Sequence, residues 1–170
     1  MRVSFHETWL KVARVIGASR STCYRRQIGC VITNKDNDVV ATGYNGAPRG
    51  QEHCINTECL RDRLGIASGT NLEVCRAVHA EMNALQQAGR QARGSTLYVN
   101  CAPCTMCAKV IINAGVTSVV YSSDYVNTEG LQVLQHSGIR VKRVEVKHAE
   151  PTTTKLVEDN VNLARHQARR

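Results

Sequence analysis

Apolar positions along the chain follow a helical period first. Ser4-Phe5-His6-Glu7 has the form of a capping box, and Phe5, Trp9, Val12, Ala13 and Ile16 carry an apolar stripe on to about Ser19. That predicts a first helix. β-branched runs follow, Gly29 to Asn34 and Val39 to Tyr44, on either side of the polar Lys35-Asp36-Asn37-Asp38, as expected of a hairpin. Asn45 to Cys75 shows no period, and helical spacing returns over Val78 to Ala88. Thr96 to Asn100 then reads as strand, Pro103 to Ala114 as helix closed by Gly115, and Val116 to Tyr121 as strand. Glu129 to Gln135 reads as helix closed near Ser137-Gly138, Val141 to Val146 as the last strand, and Lys155 to Gln167 as a terminal helix. The order α-β-β-α-β-α-β-α-β predicts an α/β fold: a mixed central sheet of five strands with helices on both faces.

Length bounds the organisation. At 170 residues the expectation is one domain, 1–170, with a core over about 4–147 and a basic C-terminal extension over 148–170. The sequence has no internal repeat, no apolar run of membrane-spanning length and no export signal, so a soluble cytoplasmic protein without a membrane partner is expected. Eight cysteines could form four disulfides in a secreted scaffold, but a Cys-x-x-Cys pair in a cytosolic setting favours metal and reduced thiols. The net charge of +8 fits either a nucleic-acid partner or phosphorylated small molecules. Arg25-Arg26, Arg61 with Arg63, Arg90 with Arg93, Lys142-Arg143 and Arg169-Arg170 are scattered rather than aligned. Aromatic residues make up only 4% of the chain and do not interleave the basic ones as stacking platforms, which favours a mononucleotide over a nucleic acid.

Candidate chemistry concentrates in His79-Ala80-Glu81 and Pro103-Cys104-Thr105-Met106-Cys107. One imidazole and two thiols give three zinc ligands, and a catalytic zinc keeps its fourth position for water. Pro103 suits the opening of a helix, which would set Cys104 and Cys107 on one face of its first turn, where the helix dipole favours thiolates. Glu81, two residues from His79, is placed better as a proton carrier beside the bound water than as a ligand. A zinc ribbon with a fourth protein ligand is the alternative; Glu81 and Pro103 have no task in one.

A second group lies in and near the unpatterned segment: Cys23, His53, Cys54, Cys59 and Cys75. So long a loop inside a compact domain needs an anchor. Three or four thiolates could supply it as a closed structural zinc site, while spacing alone leaves open that these are buried, inert cysteines. Cys30 fits simple packing within its strand.

The His-x-Glu and Pro-Cys-x-x-Cys pattern is that of zinc-dependent nucleobase deaminases. With Arg20 to Cys23, Gln27 to Gly29, Ala41 to Arg49, His53-Cys54, Cys59 to Arg61, Cys75 to Ala84 and Lys109 to Gly115, the chain resembles the deoxycytidylate (dCMP) deaminase family from about Arg20 to Val146, in particular its bacterial and phage branch with a second zinc. The resemblance implies a three-layer α-β-α cytidine deaminase-like fold and hydrolysis of dCMP to dUMP and ammonia for thymidylate synthesis, with dCTP as a further candidate substrate. It implies a catalytic zinc on His79, Cys104 and Cys107, Glu81 as catalytic residue, and a second, structural zinc on Cys23, Cys54, Cys59 and Cys75. It places Arg25 on the substrate phosphate, Asn45 on the deoxyribose and base, Ala80 at the substrate and Tyr125 near the phosphate. Ordinary turn chemistry for Asn45-Gly46, a solvated surface for Arg25 and plain packing for Tyr125 are the competing readings from the residues alone. Regulation by dCTP as activator and dTTP as inhibitor, with Mg²⁺ on the effector and a hexameric assembly, is implied too, with Gly43, Tyr44, Gly46 and Arg90 at the matching positions. Cys101 departs from the family pattern, and the tail after Lys147 lies outside it. If the protein is phage-encoded, the cytoplasm is the host's.

Two other classes stay in view. A tRNA or other nucleic-acid deaminase shares His-Ala-Glu and fits the positive charge, but Arg25 and the cysteine-rich insert are not expected there. A noncatalytic zinc and nucleotide-binding module would have no need of Glu81.

Overall fold

The computed structural model of the chain describes residues 2–23 and 25–146; the helix predicted over 155–167 lies outside the described residues. Helix α1 (Phe5–Arg20) starts where the capping box places it. The Ser4 hydroxyl accepts from the Glu7 amide at 3.2 Å, while the Glu7 carboxylate turns to Lys11 at 2.8 Å instead of returning to the cap. Strands β1 (Gly29–Thr33) and β2 (Val39–Tyr44) form the hairpin, with Asn37 at φ 67° taking the left-handed backbone its turn requires.

The segment read as irregular is anchored by short elements. It holds α2 (Leu60–Arg63), a 3₁₀ turn over Leu72–Val74, and a two-residue bridge between Gly46 and Val78 whose amides and carbonyls bond reciprocally at 3.1 and 2.8 Å. Four-residue helices fall below the window in which a period can register, so the sequence pattern hides them. Next come α3 (Ala80–Ala88), β3 (Thr96–Val99), α4 (Thr105–Asn113), β4 (Ser118–Tyr121), α5 (Glu129–His136) and β5 (Arg140–Arg143).

The sheet order is β2-β1-β3-β4-β5, antiparallel through β2, β1 and β3 and parallel through β3, β4 and β5. A hairpin followed by βαβ crossovers gives this arrangement. Two cores form because side chains alternate across the central strands. Val31, Tyr98 and Val120 face Leu10 and Ala13 of α1 on one side. Cys30, Ile32, Leu97, Val99 and Val119 face α3, α4 and α5 on the other, where Ala84, Ile111 and Leu134 pack. These are the three layers of the expected α/β fold with its mixed five-stranded sheet.

Two strand ends differ from the sequence pattern. Val116 is buried but sits in the turn after Gly115 (φ 77°), so β4 begins two residues later than its apolar run. β5 ends at Arg143, although Val144 and Val146 still pack beside α1: apolar alternation outlasts the ladder at this sheet edge.

Candidate active site

The N-termini of α3 and α4 meet at one point. His79 is the N-cap of α3 and Cys104 the N-cap of α4, both with extended backbone (φ −71°, ψ 153° and φ −73°, ψ 169°). The expectation that Pro103 opens the helix is corrected: Pro103 is fully buried one residue before the cap, and Cys104 takes the cap itself. An N-cap side chain folds back over the first turn toward the third helical residue, which is Cys107. The two thiols thus occupy the positions of a capping box.

Glycines allow the convergence. A Cβ on Gly43 of β2 would run into the Ala80 carbonyl and the Ala84 amide, so α3 reaches the sheet only over a bare Cα. One on Gly130 would strike the Pro103 carbonyl, so α5 likewise supports the Pro-Cys turn from behind.

His79 Nδ1 lies 3.5 Å from Cys104 Sγ and 3.3 Å from Cys107 Sγ, and all three donor atoms fall within 4.8 Å of one another. Tetrahedral zinc with ordinary Zn–S and Zn–N bonds would separate its N and S donors by roughly 3.6 Å, so the set fits zinc with one position left open. Cys104 is drawn down to about 4, first by the hydrogen bond from the Cys107 thiol and then by His79, against the opposing effect of burial. Cys107 is pushed up because it keeps the proton it donates to Cys104. His79 is raised, chiefly by its bond to Cys104. A dication bound here would replace those shared protons, and the positive ends of both helix dipoles favour the thiolate form of its ligands.

Glu81 is 4% exposed. Burial raises its carboxyl, His79 pulls the other way, and Cys107 is within its hydrogen-bonding reach. A carboxyl held buried beside metal ligands is suited to taking and returning protons near neutral pH.

His79, Glu81 and Cys104 line a cavity of about 440 Å³, a volume suited to a small molecule. Of the predicted substrate residues, Arg25, Asn45, Ala80 and Tyr125 all line it. Their engagement differs. The Asn45 carboxamide is committed to the scaffold, accepting from Ser21 Oγ at 2.7 Å and the Ile28 amide at 2.9 Å and donating to the Arg26 carbonyl at 2.8 Å. Arg25 pairs with Asp62 at 3.2 Å. Tyr125 lies under Arg26, whose Cζ is 4.9 Å from the ring centroid.

Arg26 and Arg61 are cavity residues that the sequence showed only as charges. Arg26 reaches Ser68 Oγ at 3.2 Å and Cys101 Sγ at 3.7 Å. Arg61 is 7% exposed and bonds the Ala67 and Thr70 carbonyls at 2.6 and 2.7 Å. A basic side chain on a four-residue helix carries no sequence mark of burial.

The second predicted group is brought to the same cavity wall. Cys23, Cys54, Cys59 and Cys75 all line it, and burial and then the other three cysteines raise the Cys54 thiol. Among the described residues, however, only His79, Cys104 and Cys107 bring three donors within 4.8 Å of one another. All eight cysteines are free thiols. Gly43, Tyr44, Gly46 and Arg90 are not among the cavity residues. Gly43 and Gly46 serve close packing, Tyr44 lies beneath Arg20 at 5.8 Å, and Arg90 is exposed.

The family model for the cytidine and deoxycytidylate deaminase zinc-binding region matches residues 3–123. The chain is 42% identical over 146 residues to the deoxycytidylate deaminase of Saccharomyces cerevisiae, covering 84% of this chain and 46% of that protein. It is 39% identical over 129 residues to the deoxycytidylate deaminase of Mycobacterium phage D29, covering 72% and 98%. The crystal structure of dCMP deaminase from the cyanophage S-TIM5 in complex with dCMP and dUMP superposes with a TM-score of 0.67 at 29% identity, covering 85% of this chain and 99% of that one. The chain thus spans about half the length of the yeast relative and nearly all of the phage ones.

Proposed function

This chain belongs to the cytidine and deoxycytidylate deaminase family, and we propose that it hydrolyses dCMP to dUMP and ammonia, supplying dUMP for thymidylate synthesis. The observation that carries the reading is the buried Glu81 carboxyl beside three donors whose spacing leaves a fourth zinc position open. The metal supplies Lewis acidity that makes water nucleophilic at neutral pH. Glu81 removes a proton from that water as its oxygen attacks C4 of the cytosine, and delivers it to ring N3. The second proton passes through Glu81 to the exocyclic amine, C4–N cleaves, ammonia departs and the carbonyl of uracil remains. Ala80 and Tyr125 border the base and sugar-phosphate ends of the cavity in this reading, with Asn45 holding the wall and Arg25 at the rim.

The reading extends to finer points. Cys23, Cys54, Cys59 and Cys75 hold a second zinc that closes the wall; their common placement at the cavity supports this. The similarity to dCMP deaminases supports control by dCTP and dTTP, with Mg²⁺ on the nucleotide, and a homo-oligomer, a hexamer by family. A reducing, cytoplasmic setting agrees with eight free thiols, and no helix among the described residues is long and apolar enough to cross a membrane. Ammonia release from dCMP, dCTP, deoxycytidine and a tRNA stem-loop, each with and without dCTP or dTTP as effector, tests the reading. Release from dCMP well above the others is expected, and release from the stem-loop alone would replace the reading with nucleic-acid deamination. Light scattering reads the assembly.

A further inference from the structure

Three chain segments meet at the ends of β1, β3 and β4, and each contributes to the catalytic cavity. Arg26 and Ile28 come from the approach to β1, Cys101 and Cys104 from the turn after β3, and Tyr125 from the loop after β4. Other residues of the same segments line a different space. Gln27, Asn100, Ser122 and Ser123 border a second cavity, of about 420 Å³, which α1 closes through Leu10 and Arg14. The three segments are thus a partition between two cavities.

One residue bonds all three. Asn100 follows the last β1–β3 pair, Cys30 with Val99, and its carboxamide imitates the next peptide of that ladder. Its Oδ1 accepts from the Gly29 amide at 2.9 Å and its Nδ2 donates to the Gln27 carbonyl at 2.9 Å, while its own amide reaches the Gly29 carbonyl at a longer 3.4 Å. The side chain carries the pairing on, so the main chain can leave the sheet toward Pro103 and Cys104. On the other side, the Asn100 carbonyl accepts from the Ser122 and Ser123 hydroxyls at 3.0 and 2.6 Å. The Ala102 amide completes the join, donating to the Ser123 carbonyl at 2.8 Å.

Resting on the reading of the site as a deoxycytidylate deaminase, we propose that Asn100 is a positioning residue for the reaction. It sets the separation between the segment bearing Arg26 and Ile28 and the turn bearing Cys104, and so aligns a substrate held by the first with the chemistry at the second. Asn100 lies outside the catalytic cavity and touches no substrate. Its effect is on alignment, where a displacement of about 1 Å costs about 100-fold in rate. A substrate can follow the wall that holds it, so binding suffers less than turnover.

Two variants test this. Asn100→Ala removes both side-chain bonds, and Asn100→Asp keeps the shape and the bond from Gly29 but sets a carboxylate oxygen against the Gln27 carbonyl. Each is expected to lower kcat for dCMP by about 10- to 100-fold with KM changed far less, at full zinc content and well below its melting temperature. Alkylation of the zinc-loaded proteins by iodoacetamide, mapped by mass spectrometry, supplies a readout without turnover. Cys101, 5% exposed and next in sequence, should react faster in both variants, whereas Cys30, 0% exposed within β1, should not. Faster reaction of both thiols would make Asn100 a general prop of the fold, and an unchanged Cys101 or an unchanged kcat would overturn the positioning role. If wild type releases no ammonia from dCMP, the deaminase reading fails, and the two thiols alone decide whether Asn100 holds the partition. Should Asn100→Ala not fold, Asn100→Asp decides by the same measurements.

Discussion

Two cysteine-bearing regions share this cavity and are built in opposite ways. His79, Cys104 and Cys107 stand on the first turns of α3 and α4, backed by Gly43 and Gly130. Cys23 stands on a loop, Cys54 in a turn, Cys59 at the N-cap of α2 and Cys75 at the C-cap of a 3₁₀ turn. The first set has ligand spacing from protein packing alone; the second shares a neighbourhood without closing into a donor group. Helix N-termini fix the direction of a side chain through backbone bonds, whereas loop residues have few such constraints. In the proposed reading the helical set is preorganised for catalysis, and a metal on the loop set would be one that contributes to folding.

The largest effect that sharpens the contrast is at Glu81. Glu81→Gln should retain zinc and melting temperature and lose about 10³- to 10⁴-fold in kcat, the range of general acid–base catalysis at its upper end. Steady-state rates beside metal analysis check this, and near-normal turnover would remove Glu81 from the chemistry. The loop set should respond in the reverse sense. Cys59→Ser is expected to bring the zinc content from about two to about one per chain and to lower stability by about 2–4 kcal/mol, with faster proteolysis within 45–75. Wild-type protein with one zinc, or a variant that keeps its stability, would make the loop cysteines ordinary packing.

The regions were also unequally legible in the sequence. Period and caps located α1, the hairpin, α3, α4 and α5, because each buries a stripe against the sheet and the pattern records that burial directly. The helical ligands could be read from spacing, since Cys104 and Cys107 are fixed by one turn of helix. The exact cap could not: Pro103 fits both just inside and just outside a helix start, and burial beneath Gly130 puts it outside. The loop region gave only residue types. Arg61 and Arg26 were visible as positive charge, but their burial follows from carbonyls of 67–70 and from Tyr125, partners distant in sequence or in irregular structure.

Gly43 offers a smaller test that touches no ligand. Gly43→Ala would place a methyl group against the Ala80 carbonyl and the Ala84 amide, forcing α3 off the sheet. The expected cost is about 1–3 kcal/mol, with weaker zinc retention at the helical site because His79 moves with the helix. The loop site lies on other supports, so its zinc should stay. Loss of both metals together would show that the two regions are one cooperative unit.

The smallest effect is in how the metal-free protein responds to pH, and its sign separates the regions. Burial raises the Glu81 carboxyl above its unfolded value, so the folded state holds that proton more tightly. Stability then falls as pH rises from the ordinary carboxylate range through the folded value, and the penalty remains above it. Glu81→Gln cannot titrate, so its advantage over wild type in denaturant midpoint should grow from acid to neutral pH. Cys54 obeys the same sign in a higher window: its thiol is raised by burial and by Cys23, Cys75 and Cys59, so its contribution lowers the stability of the metal-free protein as pH climbs from the ordinary thiol range through the raised folded value. Cys54→Ser should lessen that alkaline loss, which the raised thiols of Cys30 and Cys101 share, and leave the acid-to-neutral slope in place. Urea midpoints for the three chelated proteins across both windows check it. A Cys54→Ser effect already complete at neutral pH would mean that the loop thiols are ionised there, a cluster far nearer to closure than its sulfur positions imply.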